Sequence, residues 1–419
     1  MTKQVQNKIL WQPQPSGFTS LASVALLLIL VLSQNADWGS SSLLWWGCVG
    51  IFVIVFLLNS NFILTLETNF TLWILVFSGV CVASLAWAVR TSLVISTLKS
   101  LIVHLVVLIF VRTAIRSKRD IEQVLKIMLL SAIINIIWLL FTNQTIFEQA
   151  GGATETIDRL GTEGSWNANE VGMMAATAML IALYLSKKTK NLMLRVVYII
   201  VMLLTVFTVL LSGSRKALLM ILMGFCGLIF LASKGKRAKA VLLIALAMLC
   251  LYYLVMEVQF FYSIIGWRVD GFIASITGVG EVDSSAAVRE AYIKDGLRAW
   301  KERPLLGFGL DCYRAVNSIR KDMYAHNNYV ELLADLGIVG TVIYYSSYVY
   351  CMLKLLMKKN KDLLVWLLVI MLLIQAVMDY GCVSYNSLTT KMAIMLMFAL
   401  ASIRRNAIEK DKNIPIDET

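Results

Sequence analysis

The chain has 419 residues, 59% of them hydrophobic, with a mean hydropathy of +0.75 and a formal net charge of +12. So apolar a chain would have to bury almost its whole length, which surface-to-volume scaling forbids, so one soluble globular fold is excluded. The basic residues recur in every second loop, a pattern that a nucleic-acid surface would not need, and that class is excluded too.

Apolar runs of roughly 17–25 residues, each able to cross about 30 Å of hydrocarbon, follow one another from end to end. Hydropathy predicts about twelve spans, near 18–35, 42–58, 70–89, 97–115, 121–141, 169–186, 193–212, 216–232, 239–257, 327–357, 362–379 and 386–403. The fold class expected is an all-α polytopic membrane protein with a large, partly helical extracytoplasmic loop before the tenth span. Spans one to nine fill 1–257, the loop 258–326, spans ten to twelve 327–403, and a cytoplasmic tail 404–419. The first span lacks a small-residue cleavage site and reads as retained. The 327–357 segment is too long for one upright span, so its first turns are expected in the interface or tilted in the bundle.

Orientation follows from Lys and Arg. With the N-terminus inside, cytoplasmic loops carry Arg112/Arg116/Lys118/Arg119, Lys187/Lys188/Lys190/Arg195, Lys234/Lys236/Arg237/Lys239 and Lys354/Lys358/Lys359/Lys361. The tail adds Arg404/Arg405/Lys410/Lys412, whereas loops 34–41 and 380–385 carry none. This is the positive-inside pattern. Lys99, Lys126, Glu257, Asp379 and Lys391 sit near span ends, where they are expected to snorkel. That scarcity of midplane charge argues against an ion-coupled carrier. Cys312 and Cys382 face the outer side and could pair, while no Cys/His spacing supports a structural metal.

Two outer loops are long. The first, about 142–168, is rich in Gly, Thr and Asn. The second, 258–326, contains Trp267, Tyr292, Trp300, Phe308 and Tyr313, more aromatic than a disordered segment would be. Within it, Ser285 to Arg303 reads as an amphipathic helix capped by Ser285 and stopped by Pro304. The "PLLGFGLD" that follows is a turn whose glycines permit close backbone approach; it lacks the third glycine of a dinucleotide fingerprint.

Four stretches meet the outer surface at loop–helix junctions: "GSWNANEVG" (Gly164–Gly172), "SGSRKALL" (Ser212–Leu219), "AVREAY" with "RPLLGFG", and "AHNNYVELLADLGIVG". In "SGSRKALL" the serines turn and cap the next span, and Arg215 and Lys216 open it. Cations are disfavoured at a helix N-terminus and on the outer side, so this pair reads either as a phosphate site or as an interfacial anchor. Arg289, like Arg298 and Arg303, is a cation in or beside an amphipathic helix that solvent alone could satisfy. Asn167, Asn169 and Glu170 suit sugar hydroxyls, but a helix cap with Asn169 at the cap position would also explain them. His326 stands beside Asn327 and Asn328, ahead of Glu331 and Asp335. It reads as a proton acceptor for a hydroxyl or as a structural histidine. His104, inside "LIVHLVVLIF", reads as a satisfied intramembrane histidine.

These motifs, in this order, resemble the O-antigen ligase / O-antigen polymerase superfamily of bacterial integral-membrane glycosyltransferases. The resemblance spans most of the chain; its most specific piece is His326–Asn327 with "GIVG" (Gly337–Gly340), supported by "SGSR" and "R…W…RPLLGFG". It implies an enzyme of the bacterial cytoplasmic membrane that transfers a glycan from a polyprenyl-diphosphate carrier to an acceptor hydroxyl at the outer face. Arg215 and Arg289 would engage the diphosphate and His326 would be the base; Lys216, Asn167, Asn169, Glu170, Asn327, Arg298 and Arg303 are the candidates expected beside them to bind substrate. No metal or cofactor is implied. Partners would be the lipid-linked oligosaccharide, the bilayer, and chain-length regulator or flippase proteins. The modest outer loop, with no soluble C-terminal domain in view, leans towards a polymerase of repeat units. A ligase acting on lipopolysaccharide core or protein is the alternative, and a lipid-linked oligosaccharide flippase is the rival from another class.

Overall fold

A computed structural model describes residues 18–35, 43–59, 64, 66, 68–146, 158–162, 166–233, 235–277, 284–359 and 361–403. The expected tail with Arg404 and Arg405, Lys234, most of the first outer loop and most of loop 34–41 lie outside these residues. The described residues contain no strand. Their principal helices are α1 Ser20–Gln34, α2 Leu43–Leu57, α3 Asn69–Ala83, α4 Thr91–Ala114, α5 Lys118–Thr142, α6 Ala168–Lys188 and α7 Leu192–Leu211. They continue with α8 Arg215–Ala232, α9 Arg237–Met256, α10 Trp267–Thr277, α11 Ser284–Glu302, α12 Asn328–Leu356, α13 Leu363–Met378 and α14 Leu388–Ser402.

A helix lies on each apolar segment predicted from hydropathy. Seven (α3 with its extension to Ala86, α4, α5, α6, α7, α9 and α12) are long and apolar enough to cross a bilayer; α1, α2, α13 and α14 are shorter apolar helices. This is an all-helical membrane protein. The helices differ in what surrounds them. The most apolar window of α6 is 72% buried, against 11% for α9. Helix α6 packs against α5, α7, α8 and α13 as the centre of the bundle, and α9 presents its sides outward.

Side chains start the helices where the sequence places short polar residues. Ser117 and Asp120 form a reciprocal capping box on α5, and Ser214, Asn327, Asp362 and Ser387 cap α8, α12, α13 and α14. Helix α11 begins at Ser284, one residue earlier than expected, which puts Ser285 inside its first turn.

The long 327–357 segment is the main correction. Asn328 Nδ2 donates to Tyr345 Oη at 2.9 Å and the rings of Tyr329 and Tyr345 stack at 4.7 Å. Along a straight helix residues that far apart in sequence would be separated by about 25 Å. The chain therefore breaks at Gly337, whose φ of 63° and ψ of −166° are not helical, and 328–336 folds back beside the later turns. The "PLLGFG" turn clasps the break. Phe308 N and Gly309 N donate to Ala334 O and Asp335 O, while Ile338 N and Val339 N donate to Pro304 O and Leu305 O. Orphan groups of both half-helices are thus satisfied by one loop. Its approach needs glycine: a Cβ on Gly337 would lie 2.2 Å from Leu305 O, and one on Gly307 2.4 Å from Asp335 C.

Asp379 and Lys391 are also corrected. Both are fully buried and neither snorkels. Helices α13 and α14 have only 16 and 15 residues, so the loop 379–387 between them sinks into the bundle. Asp379 accepts hydrogen bonds there from Ser384 Oγ (2.6 Å), Gln375 Nε2 (2.7 Å), and Tyr345 and Tyr348 Oη (3.0 Å each). Non-helical backbone at such depth persists only when buried in protein or lining a wet cavity, and this loop does both. Scarcity of buried charge no longer counts against a carrier. Cys312 and Cys382 are both free thiols; their sulfurs meet Arg90 O and Met378 O respectively.

Candidate active site

The turn Ser212–Gly213–Ser214 joins α7 to α8. Gly213 adopts φ 57°, Ser212 closes α7, and Ser214 Oγ accepts from Ala217 N at 3.4 Å. Arg215 and Lys216 are thereby fixed in the first turn of α8. The Arg215 guanidinium donates to Arg268 O at 3.1 Å and lies 5.9 Å from the ring of Phe272 on α10. Lys216 Nζ donates to Gly381 O, reaching the sunken loop.

Arg159, which sequence reasoning passed over, completes this group. Its Nε donates to Ser212 O at 2.8 Å and its Nη2 to Asn169 Oδ1 at 3.2 Å, while Leu160 N donates to Leu211 O. Burial, and after it the cations of Arg268, Arg289 and Arg215, push the Arg159 guanidinium down to about 10. Arg289, on α11, also acts on Lys216 and on His326. Five cations from four parts of the chain therefore share one neighbourhood. The only signal for Arg159 was a lone cation among glycines and threonines just before α6, and for Arg268 its adjacency to Trp267.

His326 stands at the edge of this group. It holds a left-handed backbone (φ 55°), unusual for a non-glycine residue and a sign of local strain. Its ring packs 4.0 Å from Tyr324 and 5.8 Å from Tyr292. Burial first, then the charges of Arg289, Lys216 and Arg314, push its pKa down to about 4. The imidazole is neutral at physiological pH and offers a free lone pair. Behind it, Glu331 is turned inward, not along the site; its Oε2 accepts from Ala325 N at 2.5 Å and so fixes the residue preceding His326. Asp335 is likewise internal, accepting from Tyr313 N (2.6 Å) and Asp311 N (3.0 Å).

Beside His326 opens a cavity of about 780 Å³. Its mouth is lined by Trp166, Asn167, Asn169, Glu170, Lys216 and His326. The cap of α6 is Asn167, which accepts from Asn169 N at 2.9 Å; Asn169 instead serves Arg159. The other named residues lie elsewhere. Asn327 caps α12 and donates to Tyr380 O. Arg298 pairs with Asp295 (2.9 Å) and Glu302 (2.7 Å), and Arg303 sits 4.7 Å over Phe308 and donates to Trp87 O. None of these three lines the cavity.

Residues 200–345, which run from α7 through the cation-bearing turn, α10, α11 and His326 into α12, match the family model described as O-antigen ligase. This match supports the resemblance of the chain to the O-antigen ligase/polymerase superfamily. No curated protein matches the chain. The similarity points to a glycosyltransferase-like enzyme of polysaccharide biosynthesis, and the matched segment includes Arg215, Arg289 and His326.

Proposed function

We propose that the protein polymerises lipid-linked repeat units of a surface polysaccharide at the outer face of the bacterial cytoplasmic membrane. The donor glycan is carried on a polyprenyl diphosphate. The acceptor hydroxyl oxygen attacks the anomeric carbon, the carbon–oxygen bond to the diphosphate breaks, and the diphosphate leaves with the electron pair. The hydroxyl proton passes to His326 Nδ1 or Nε2, and in-line attack inverts the anomeric centre. Arg215 and Arg289, with Arg159 and Arg268 beside them, stabilise charge that builds on the leaving oxygen. In this scheme the guanidiniums take the part that a divalent cation plays in many nucleotide-sugar enzymes.

The observation that carries this reading is the gathering of five cations beside one neutral imidazole. A bound diphosphate would also raise His326's affinity for a proton by offsetting the cations that lower it, so the base strengthens when the donor arrives. Gathered guanidiniums suit a diphosphate, whose charge offsets their mutual repulsion.

The description of the matching family favours a second reading, an O-antigen ligase that moves the glycan to a lipopolysaccharide core or a protein. Purified protein incubated with a lipid-linked repeat unit alone separates the two. A ladder of lengthened lipid-linked products supports the polymerase. Reaction only after a different acceptor is added supports the ligase. A rate unchanged by EDTA is expected in either case, and a rate abolished by it would contradict the guanidinium scheme.

A further inference from the structure

His326, Lys216 and Arg314 line the cavity, whereas Arg159, Arg215, Arg268 and Arg289 do not. The cavity continues inward past the sunken loop to His104, which is 13 residues into α4 and therefore about 20 Å from its start. Three nitrogen donors from three separate elements face this inner chamber. Gln34, at the end of α1, accepts through Oε1 from Ser131 (3.3 Å) and Asn135 (3.4 Å), leaving its Nε2 without an acceptor among the described residues. Asn386, in the sunken loop, accepts from Ser100 through Oδ1 at 3.1 Å, leaving its Nδ2 likewise. The third is His104. The fully buried Lys391 reaches its Nδ1 at 3.3 Å. When Lys391 is an ammonium it donates, Nδ1 accepts and the ring proton stands on Nε2.

We infer that this inner chamber is the acceptor subsite, holding the terminal sugar of the acceptor glycan through its oxygen atoms; the inference rests on the glycan-transfer reading. The volume of the whole cavity, about 780 Å³, is in the range of ordinary ligand sites, about 300–1,000 Å³. The competing occupant is the isoprenoid tail, which lining methionines such as Met174, Met371 and Met397 would suit. A hydrocarbon chain would leave the three N–H groups desolvated and unbonded, a cost that a sugar's oxygens remove. Trp166 and Tyr324 at the mouth add flat apolar faces of the kind that sugar rings pack on. Lys391 acts as a positioning residue, fixing the His104 tautomer.

The test is direct binding to the full-length protein in detergent, without donor. The probe is the lipid-free repeat-unit oligosaccharide released from the host's own polysaccharide, followed by saturation-transfer NMR, with inorganic pyrophosphate titrated separately. The wild type should bind the oligosaccharide. His104→Phe, Asn386→Leu and Gln34→Leu should each weaken it about tenfold, the value of one hydrogen bond, with pyrophosphate affinity unchanged. The latter two variants stand at the chamber edge and guard against misfolding of His104→Phe. No oligosaccharide binding to the wild type, or equal affinity in all variants, overturns the assignment. So does a fall in geranyl diphosphate affinity in the same variants, which would give the chamber to the lipid. Oligosaccharide binding without any glycan transfer would sink the transfer reading alone; transfer with affinities unmoved by the three variants would sink the chamber alone.

Discussion

Arg289 and Arg298 stand on the same amphipathic helix, α11, yet their surroundings are opposite. Arg298 is held by Asp295 and Glu302, and Asp295 in turn anchors Tyr313 and Ser318, so the charge is spent on structure. Arg289 adds its charge to Arg159, Lys216 and His326. Local sequence does not separate them, because both are cations on a polar face. What separates them is which other helices α11 packs against. Carboxylates hold Arg298 in place, whereas Arg289 adds to a group of cations that suits an anionic ligand.

That contrast sets an order of expected effects. His326→Ala should cost the most, on the order of 10²–10⁴ in the rate of glycan transfer, the usual worth of a general base. Arg289→Ala and Arg215→Ala should follow, with about 10²–10³ lost from kcat by analogy with removing one preorganised donor. Gly337→Ala leaves every charge in place but drives a Cβ against Leu305 O in a left-handed backbone. It should cost roughly 2–4 kcal/mol of stability, read as a lower thermal midpoint in detergent. Arg298→Ala should change transfer less than about twofold, as expected for an exposed ion pair. An Arg298 variant as damaged as Arg289→Ala would erase the distinction between the two arginines.

The pH dependence sharpens the same point. In the folded chain His326 takes a proton only near pH 4, whereas its unperturbed value is 6.5. Between those values the unfolded chain holds more protons, so His326's contribution to stability falls as pH falls through this window. In kinetics, kcat/KM should hold as pH drops from 7 and fail on the acid side near the folded value. Arg289→Gln removes the largest of the charges acting on the ring, so the acid limb should move to higher pH. An acid limb that stays put in this variant would mean that the two groups are not neighbours.

The helices were legible because apolar runs of membrane length admit few alternatives, and a helix lies on each predicted segment. The fold-back at Gly337 was not, because hydropathy reads through a break that both flanking half-helices disguise with apolar residues. "PLLGFG" was legible as a close approach of backbone but not as the clasp of that break, since its partner lies beyond the intervening loop. The short polar stretches announced the junctions, Ser212–Ser214 most clearly. They did not announce that Asn327 and Asp335 serve the scaffold, or that Arg159 joins the cations. Lys391 and Asp379 were misplaced for one reason. Their distance from a predicted span end is small, but the loop that joins those ends is itself inside the bundle.

The site's central claim is tested most directly by a single-turnover reaction with the lipid-linked repeat unit, following release of prenyl diphosphate from wild type and His326→Ala at matched donor occupancy. Wild type should release prenyl diphosphate as product lengthens, and the variant should bind the donor equally well yet release almost none. Release by the variant at the wild-type rate would contradict the account.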